Sequence, residues 1–330
     1  MISISMSYLK ECINPFYQNH NFYFVKILFV AAQNKTAFAP FVLDQAEALR
    51  SAGVEVELFG IRGSGVWGYL ANRKDLIAQI RKFNPDLIHA HYGLSGLLAN
   101  LQRRIPVITT YHGCDINRKD LRRISIFTIW LSRFNIFVSS RQVEFVKRYL
   151  SDFEVIPCGI NLLHFITADK MAARKKLGLD TEKRYILFSS DFARPEKNAS
   201  LAIDACKLID NAELLELKGY SRHEVVDLMN AVDVGLLTSL REGSPMFVKE
   251  MLACRKPVVS TDVGDVSELI ENIEGCAVVS FNPKAIAAKL ENAFNYPVIN
   301  VPVDTIKLVD NKLIAKKLIE VYRKVMGERS

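Results

Sequence analysis

Short apolar runs of β type alternate with helical stretches along almost the whole chain, and this alternation limits the available folds more than any other feature. Residues 25–30, 54–59, 86–90, 106–111, 135–138 and 153–156 read as strands. Between them, 40–51, 69–82, 95–103 and 141–150 carry helical periodicity. Strands separated by helices pair in parallel, because the crossover helix returns the chain to the same end of the sheet and covers its face. The pattern pauses over 157–169 and restarts, with strands at 185–189, 213–217, 233–237, 257–260 and 276–279. The fold class is therefore α/β, two doubly wound Rossmann-like domains facing across a cleft. Residues 25–165 form the first domain, 166–303 the second, and 304–330 an amphipathic helix crossing back to the first. Ligands of open α/β sheets bind outside the carboxyl ends of the strands, so chemistry is sought in the loops that follow strands.

Composition narrows the setting. At 330 residues the chain is long enough for two full cores. Its formal net charge of +7 suits an anionic partner such as a nucleotide or an acidic membrane surface. No nucleic-acid recognition module is present. The six cysteines are scattered without a Cys-x-x-Cys pair, which fits buried free thiols in a reducing cytoplasm. No apolar run reaches the roughly 18 residues of a membrane span. Residues 1–24 lack a signal-peptide core and read as a leader, a candidate for disorder.

Several strand ends carry candidate chemistry. Around Glu242-Gly243-Ser244-Pro245-Met246-Phe247, Ser244 is read as an N-cap and Pro245 as the first helical residue, with Glu250 about two turns on. A helix start attracts phosphate, and the two glutamates could hold hydroxyls of ribose or sugar on either side of it. A capped helix with a solvated glutamate would look the same. Arg194 and Lys197 follow the first strand of the second domain and could clamp a diphosphate, or be ordinary surface charge. His112-Gly113 ends a strand of the first domain, where the imidazole could bond a sugar or aid proton transfer. His89 and His91 share a strand face without a carboxylate or cysteine to complete a metal site. No Asp-x-Asp pair is available for a nucleotide-sugar cation, so no metal is expected. Gly63-Ser-Gly65-Val-Trp-Gly68 matches G-x-G-x-x-G, but it follows the second strand and carries Trp67 where a pyrophosphate would approach. Residues 116–150 interleave Arg118, Arg122, Arg123, Arg133, Lys147 and Arg148 with Phe127, Ile129 and Trp130, a pattern suited to an anionic membrane surface or to a core helix with a basic face.

Taken in order, Arg194-Pro-Glu-Lys197, Glu242-Gly-Ser-Pro with Glu250, and Lys256-Pro-Val-Val-Ser-Thr-Asp-Val-Gly264 with Glu268 resemble the retaining glycosyltransferase family 4, glycosyl transferases group 1, of GT-B fold. His89-Ala-His-Tyr-Gly93, Tyr111-His-Gly-Cys-Asp115 and Val155-Ile-Pro-Cys-Gly-Ile-Asn161 extend the resemblance over residues 25–325. It implies a retaining, metal-independent hexosyltransferase that moves a sugar from a nucleotide-sugar, a UDP-sugar by preference, to a glycan or lipid-linked acceptor in cell-surface polysaccharide synthesis. It implies no cofactor, and a cytoplasmic protein that could rest on the inner membrane face. By the same resemblance Arg194 and Lys197 bind the diphosphate, Glu250 the ribose, and Gly243, Ser244, Met246 and Phe247 line the donor. Glu242 and His112 face the reacting sugar. A nucleotide-sugar epimerase, a glycoside phosphorylase, an inactive sugar-binding scaffold and an NAD dehydrogenase are the alternatives. The chain departs from the family pattern after its first strand, where residues 31–40 replace a Gly-Gly loop, and at Cys158 and Asn161, where Asn and Asp are usual.

Overall fold

The computed structural model describes residues 25–34 and 37–327; the leader read at residues 1–24 lies outside them. The first sheet holds β1 Lys26–Asn34, β2 Ala37–Phe38, β3 Glu55–Ile61, β4 Leu87–His91, β5 Val107–Tyr111, β6 Phe134–Phe137 and β7 Phe153–Val155. Its order is β2-β1-β4-β5-β6-β7, with β3 pairing β1, and every pairing is parallel except that of β2. Helices α1 Pro40–Ser51, α2 Gly65–Ala71, α3 Arg73–Phe83, α4 Gly93–Asn100, α5 Cys114–Asn117, α6 Lys119–Leu131 and α7 Ser140–Val146 connect these strands. The second sheet runs β12-β11-β10-β8-β9, all parallel. It is built from β8 Arg184–Phe188, β9 Ala212–Glu216, β10 Val234–Leu237, β11 Val258–Thr261 and β12 Ala277–Val279. Around it lie α8 Lys170–Leu177, α9 Ala199–Cys206, α10 Arg222–Ala231, α11 Met246–Ala253, α12 Val266–Ile270 and α13 Pro283–Ala293. Strands β4, β5, β6, β10 and β11 are buried along their full length, as central parallel strands covered on both faces must be.

Two helices differ from the periodicity reading. The stretch expected as one helix over 69–82 is α2 and α3, broken at Asn72. The Asn72 amide donates to the carbonyls of Arg62 at 2.8 Å and Gly68 at 2.7 Å, satisfying groups a helix end would otherwise leave bare. This places the glycine fingerprint in a tight turn. Gly63 and Gly68 pack main chain to main chain, and a Cβ on Gly63 would stand 3.2 Å from the Gly68 Cα. Trp67 is 83% exposed beside it.

The C-terminal amphipathic stretch is likewise two helices, α14 Val303–Val309 and α15 Asn311–Met326. Asp310 separates them and caps α15, accepting from the Lys312 N–H at 2.9 Å. At the same break the Ile160 N–H donates to the Val309 carbonyl at 2.7 Å, and the Asn311 N–H donates to the Ile160 carbonyl at 3.0 Å. The two chain crossings between domains therefore run side by side and are hydrogen-bonded to each other. Beyond the crossing, Ile314, Leu318, Val321 and Tyr322 pack with Ile27, Phe29, Val42 and Leu49. The last helix thus belongs to the core of the first domain.

Candidate active site

The carboxyl ends of the two sheets meet at three glycines. Gly113 follows β5, Gly243 follows β10 and Gly264 follows β11. A Cβ on Gly243 would lie 2.2 Å from the His112 carbonyl oxygen. One on Gly264 would lie 2.5 Å from the Gly243 oxygen, and one on Gly113 would lie 2.7 Å from the Gly243 nitrogen. Only residues without side chains let three backbones approach this closely. Gly113 also needs its φ of 119°, which a side chain would strain.

On the first-domain wall, Asp115 sets the shape of the turn. Its buried carboxylate accepts from the N–H groups of Gly113 at 2.9 Å, Gly93 at 3.2 Å and His112 at 3.3 Å. Burial raises its pKa to about 6, and those N–H groups oppose the rise. His112 is held on both ring nitrogens: Nε2 lies 3.1 Å from His91 Nδ1, and Nδ1 lies 3.5 Å from Cys158 Sγ. The rings of Phe41 and Tyr92 pack on it at 4.5 and 4.7 Å. Burial, followed by the neighbouring His91, holds the His112 pKa well below the usual range, so the ring is neutral at pH 7. His89 and His91 stack at 4.6 Å. His89 bonds Tyr322 Oη at 2.6 Å and Thr110 Oγ1 at 2.7 Å. Both are parts of this packed wall, and among the described residues no cluster of His, Cys, Asp and Glu is arranged to hold a metal ion.

On the second-domain wall, Lys197 and Glu242 are brought together. Lys197 Nζ is 2.5 Å from Glu242 Oε1, which also accepts from Ser239 Oγ at 2.7 Å. Lys197 is presented by a turn that Thr238 ties down, its hydroxyl donating to the Lys197 and Asn198 carbonyls at 2.9 and 3.0 Å. The left-handed φ of 55° at Asn198 completes that turn. Arg194, three residues before Lys197, is exposed and paired with Glu196, two residues along, its Nε 2.8 Å from Oε1.

The helix start differs from the sequence reading. Helix α11 begins at Met246 with Pro245 as N-cap, and Ser244 does not cap it. The Ser244 hydroxyl instead donates to Asp265 Oδ2 at 2.5 Å and accepts from the Lys249 ammonium. Phe247 is buried in the second-domain core against Gly235, so its ring is turned away from the cleft. Met246 is half-buried at the edge of the same core. Glu250 is half-buried one residue after Lys249, with its pKa raised to about 7. Burial is the main cause; Arg222 opposes it and Asp44 adds to it. Lys249 and Asp265, both buried, were not singled out from the sequence. A lysine inside a helix one position before a glutamate gives no sign of its burial.

The walls are joined across the cleft. Asn117 Nδ2 donates to the Glu242 carbonyl at 2.9 Å, and Arg141 donates to the Asp262 carbonyl at 2.9 Å. Ser140 Oγ donates to Glu268 at 2.8 Å, and Arg222 pairs with Asp44. A depression of about 430 Å³ lined by Arg103, Arg104 and Arg133 lies at the opposite end of the first sheet and has no part in this site.

Two facing Rossmann-like domains, with the candidate residues between their strand ends, define the GT-B class. The solved structure of sucrose-phosphate synthase from Thermosynechococcus elongatus is similar over 92% of this chain and all of that one, at TM-score 0.76 and 17% identity. HepE from Anabaena, solved in complex with UDP, matches over 91% of this chain and all of its own, at TM-score 0.68 and 16% identity. Residues 59–163 match the family description Glycosyltransferase Family 4, and residues 206–295 match Glycosyl transferases group 1. The chain belongs to the GT-B group 1 glycosyltransferases. Among curated relatives, the teichuronic acid biosynthesis glycosyltransferase TuaC of Bacillus subtilis is 29% identical over 237 residues. That alignment covers 63% of this chain, which spans 61% of that relative's length.

Proposed function

We propose that this protein transfers a sugar, with retention of configuration, from a nucleotide-sugar to a growing cell-surface glycan or its lipid-linked precursor. The observation that carries the reading is the Lys197–Glu242 pair at the second-domain strand ends, set against the His112–Gly113 turn of the first domain. A bound diphosphate would take the Lys197 ammonium from Glu242 and free that carboxylate for the sugar. Lys197 and the N–H groups of the loop leading into α11 then stabilise charge on the departing diphosphate without a protein-held metal. Glu250, at the base of the cleft, accepts from the ribose hydroxyls. Closure around the donor keeps water from hydrolysing it. UDP is the preferred nucleotide, in keeping with the UDP complex of HepE. Retention rests on the family resemblance, and the anomer of the product tests it.

An inner-membrane location accompanies this reading. Among the described residues no helix is long and apolar enough to cross a membrane. On α6, however, Phe127 and Trp130 are 50% and 63% exposed, and Arg123 lies on the same helical face. Phe145 is 50% exposed beside them, with the Arg122 guanidinium 4.4 Å over its ring. Apolar anchors amid cations suit the anionic surface that would present a lipid-linked acceptor.

The test is a thermal-shift panel of UDP, GDP and ADP sugars, followed by transfer assays with the nucleotide that stabilises most. Lys197→Ala should weaken binding of that nucleotide at least tenfold. A variant that binds as tightly as the parent removes Lys197 from the donor site.

A further inference from the structure

Lys249 is a fully buried ammonium that the reaction described above does not use. It lies on α11 next to Glu250, and successive helical residues point about 100° apart. Its ammonium donates to the Cys158 carbonyl at 2.5 Å and to the Ser244 hydroxyl, and the Asp265 carboxylate stands beside it, Oδ2 at 3.3 Å. Each belongs to a different piece of the site. Ser244 is in the loop between β10 and α11. Asp265 ends the loop whose Gly264 packs on Gly243. Cys158 lies in the chain crossing between domains, beside Gly159, where a Cβ would stand 2.5 Å from Asn311 Oδ1 of the returning crossing. The same Cys158 reaches His112 with its thiol, which burial keeps protonated by raising its pKa to about 11.

A buried ion pair is a poor source of stability, because apolar residues of the same volume often hold a core at least as well. What it supplies is a fixed arrangement, since a buried charge tolerates only positions where every proton finds an acceptor. Here that arrangement joins the donor loop to the paired chain crossings that connect the domains. We propose that Lys249 is a positioning residue that couples the donor-binding loop 243–245 to the interdomain crossing, so that closing the domains and shaping the donor loop are a single event. Lys249 touches no substrate and acts through Ser244 and the Cys158 carbonyl. The inference rests on the reading of loop 243–245 as a donor loop.

The experiment compares the wild-type chain with two variants, using whichever of UDP, GDP and ADP the wild type binds most tightly. Lys249→Met with Asp265→Asn removes both buried charges together, so no uncompensated ion is left in the core. Ser244→Ala keeps the ion pair and deletes one strut. Calorimetry gives nucleotide affinity, thermal melting gives the fold, and small-angle scattering at about 1 M salt, where the ion pairs across the cleft are screened, with and without nucleotide gives closure. The charge-free pair should melt near the wild type yet bind nucleotide at least tenfold more weakly and lose the ligand-dependent decrease in radius of gyration. Ser244→Ala should lose three- to tenfold in affinity. Wild-type affinity and closure in the charge-free pair would overturn the coupling. If that pair does not fold, unchanged affinity and closure in Ser244→Ala overturn it. A wild type that binds none of the three nucleotides fails the donor-loop reading itself, and the coupling falls with it.

Discussion

Single residues decide whether the two walls can meet. Gly243 separates folding from closure, because its own backbone is unstrained and the atom a Cβ would strike belongs to the other domain. Gly243→Ala should therefore melt within a few degrees of wild type while losing transfer by at least about a hundredfold, the scale on which small misplacements are felt. Retained transfer would mean that the walls do not approach this closely during turnover. Glu250 sets a pH dependence. Its carboxyl ionises near 4.5 in the unfolded chain and near 7 in the folded one. The stability that neutral Glu250 contributes is present below about pH 4.5 and lost as pH rises through about 7. Glu250→Gln stays neutral and should be more stable than wild type at pH 8 by about 1–3 kcal/mol, the advantage vanishing toward pH 4.5. Parallel melting curves for the two proteins across this range would contradict the assignment. Nucleotide binding should show the opposite preference in the wild type, strengthening from pH 6 to 8 as Glu250 ionises to accept ribose hydroxyls, and should be flat in the variant.

At the level of elements, the central parallel strands were legible because each is a short buried apolar run, and the residues at their ends were legible because such folds place ligands there. Lys197, Glu242, Gly243 and His112 all occupy the strand ends that meet. The helix breaks at Asn72 and Asp310 were not legible, since helical periodicity runs through both; the Asn72 amide ends one by bonding the Arg62 and Gly68 carbonyls, and main-chain bonds to Ile160 end the other. Nor was the role of the Ser244 side chain. A serine before proline looks like an N-cap until a buried lysine and aspartate claim its hydroxyl. Helix α6 carries a test of its own. Phe127→Ser with Trp130→Ser should abolish flotation with vesicles of anionic phospholipid and leave nucleotide binding intact. Equal flotation of variant and parent, or equal binding to neutral vesicles, removes the membrane role of this face.

For the molecule as a whole, closure is held partly by ion pairs that stand in water. Arg141–Asp262 and Arg222–Asp44 cross the cleft with substantially exposed arginines. Such pairs are worth at most about 1 kcal/mol each and weaken as salt screens them. Raising ionic strength from about 0.1 M to about 1 M shortens the screening length from about 10 Å to about 3 Å. The nucleotide-free protein should then show a larger radius of gyration in solution scattering, and nucleotide should reverse the change. A radius indifferent to salt would place the closing force in the glycine junction and the buried lysine.

The hydrogen bond between His89 and Tyr322 links positions 233 residues apart. Nearly the whole second domain is made between them, yet Tyr322 and its helix fill the core of the first. On the ribosome, the first sheet therefore emerges with an apolar face open and waits for α15 before it is complete. Until then Val42 and Leu49 of α1, and Ile27 and Phe29 of β1, are available to any other apolar chain. The first domain's core can close only after all residues of the second have been made, a constraint that follows from where that single tyrosine comes to rest.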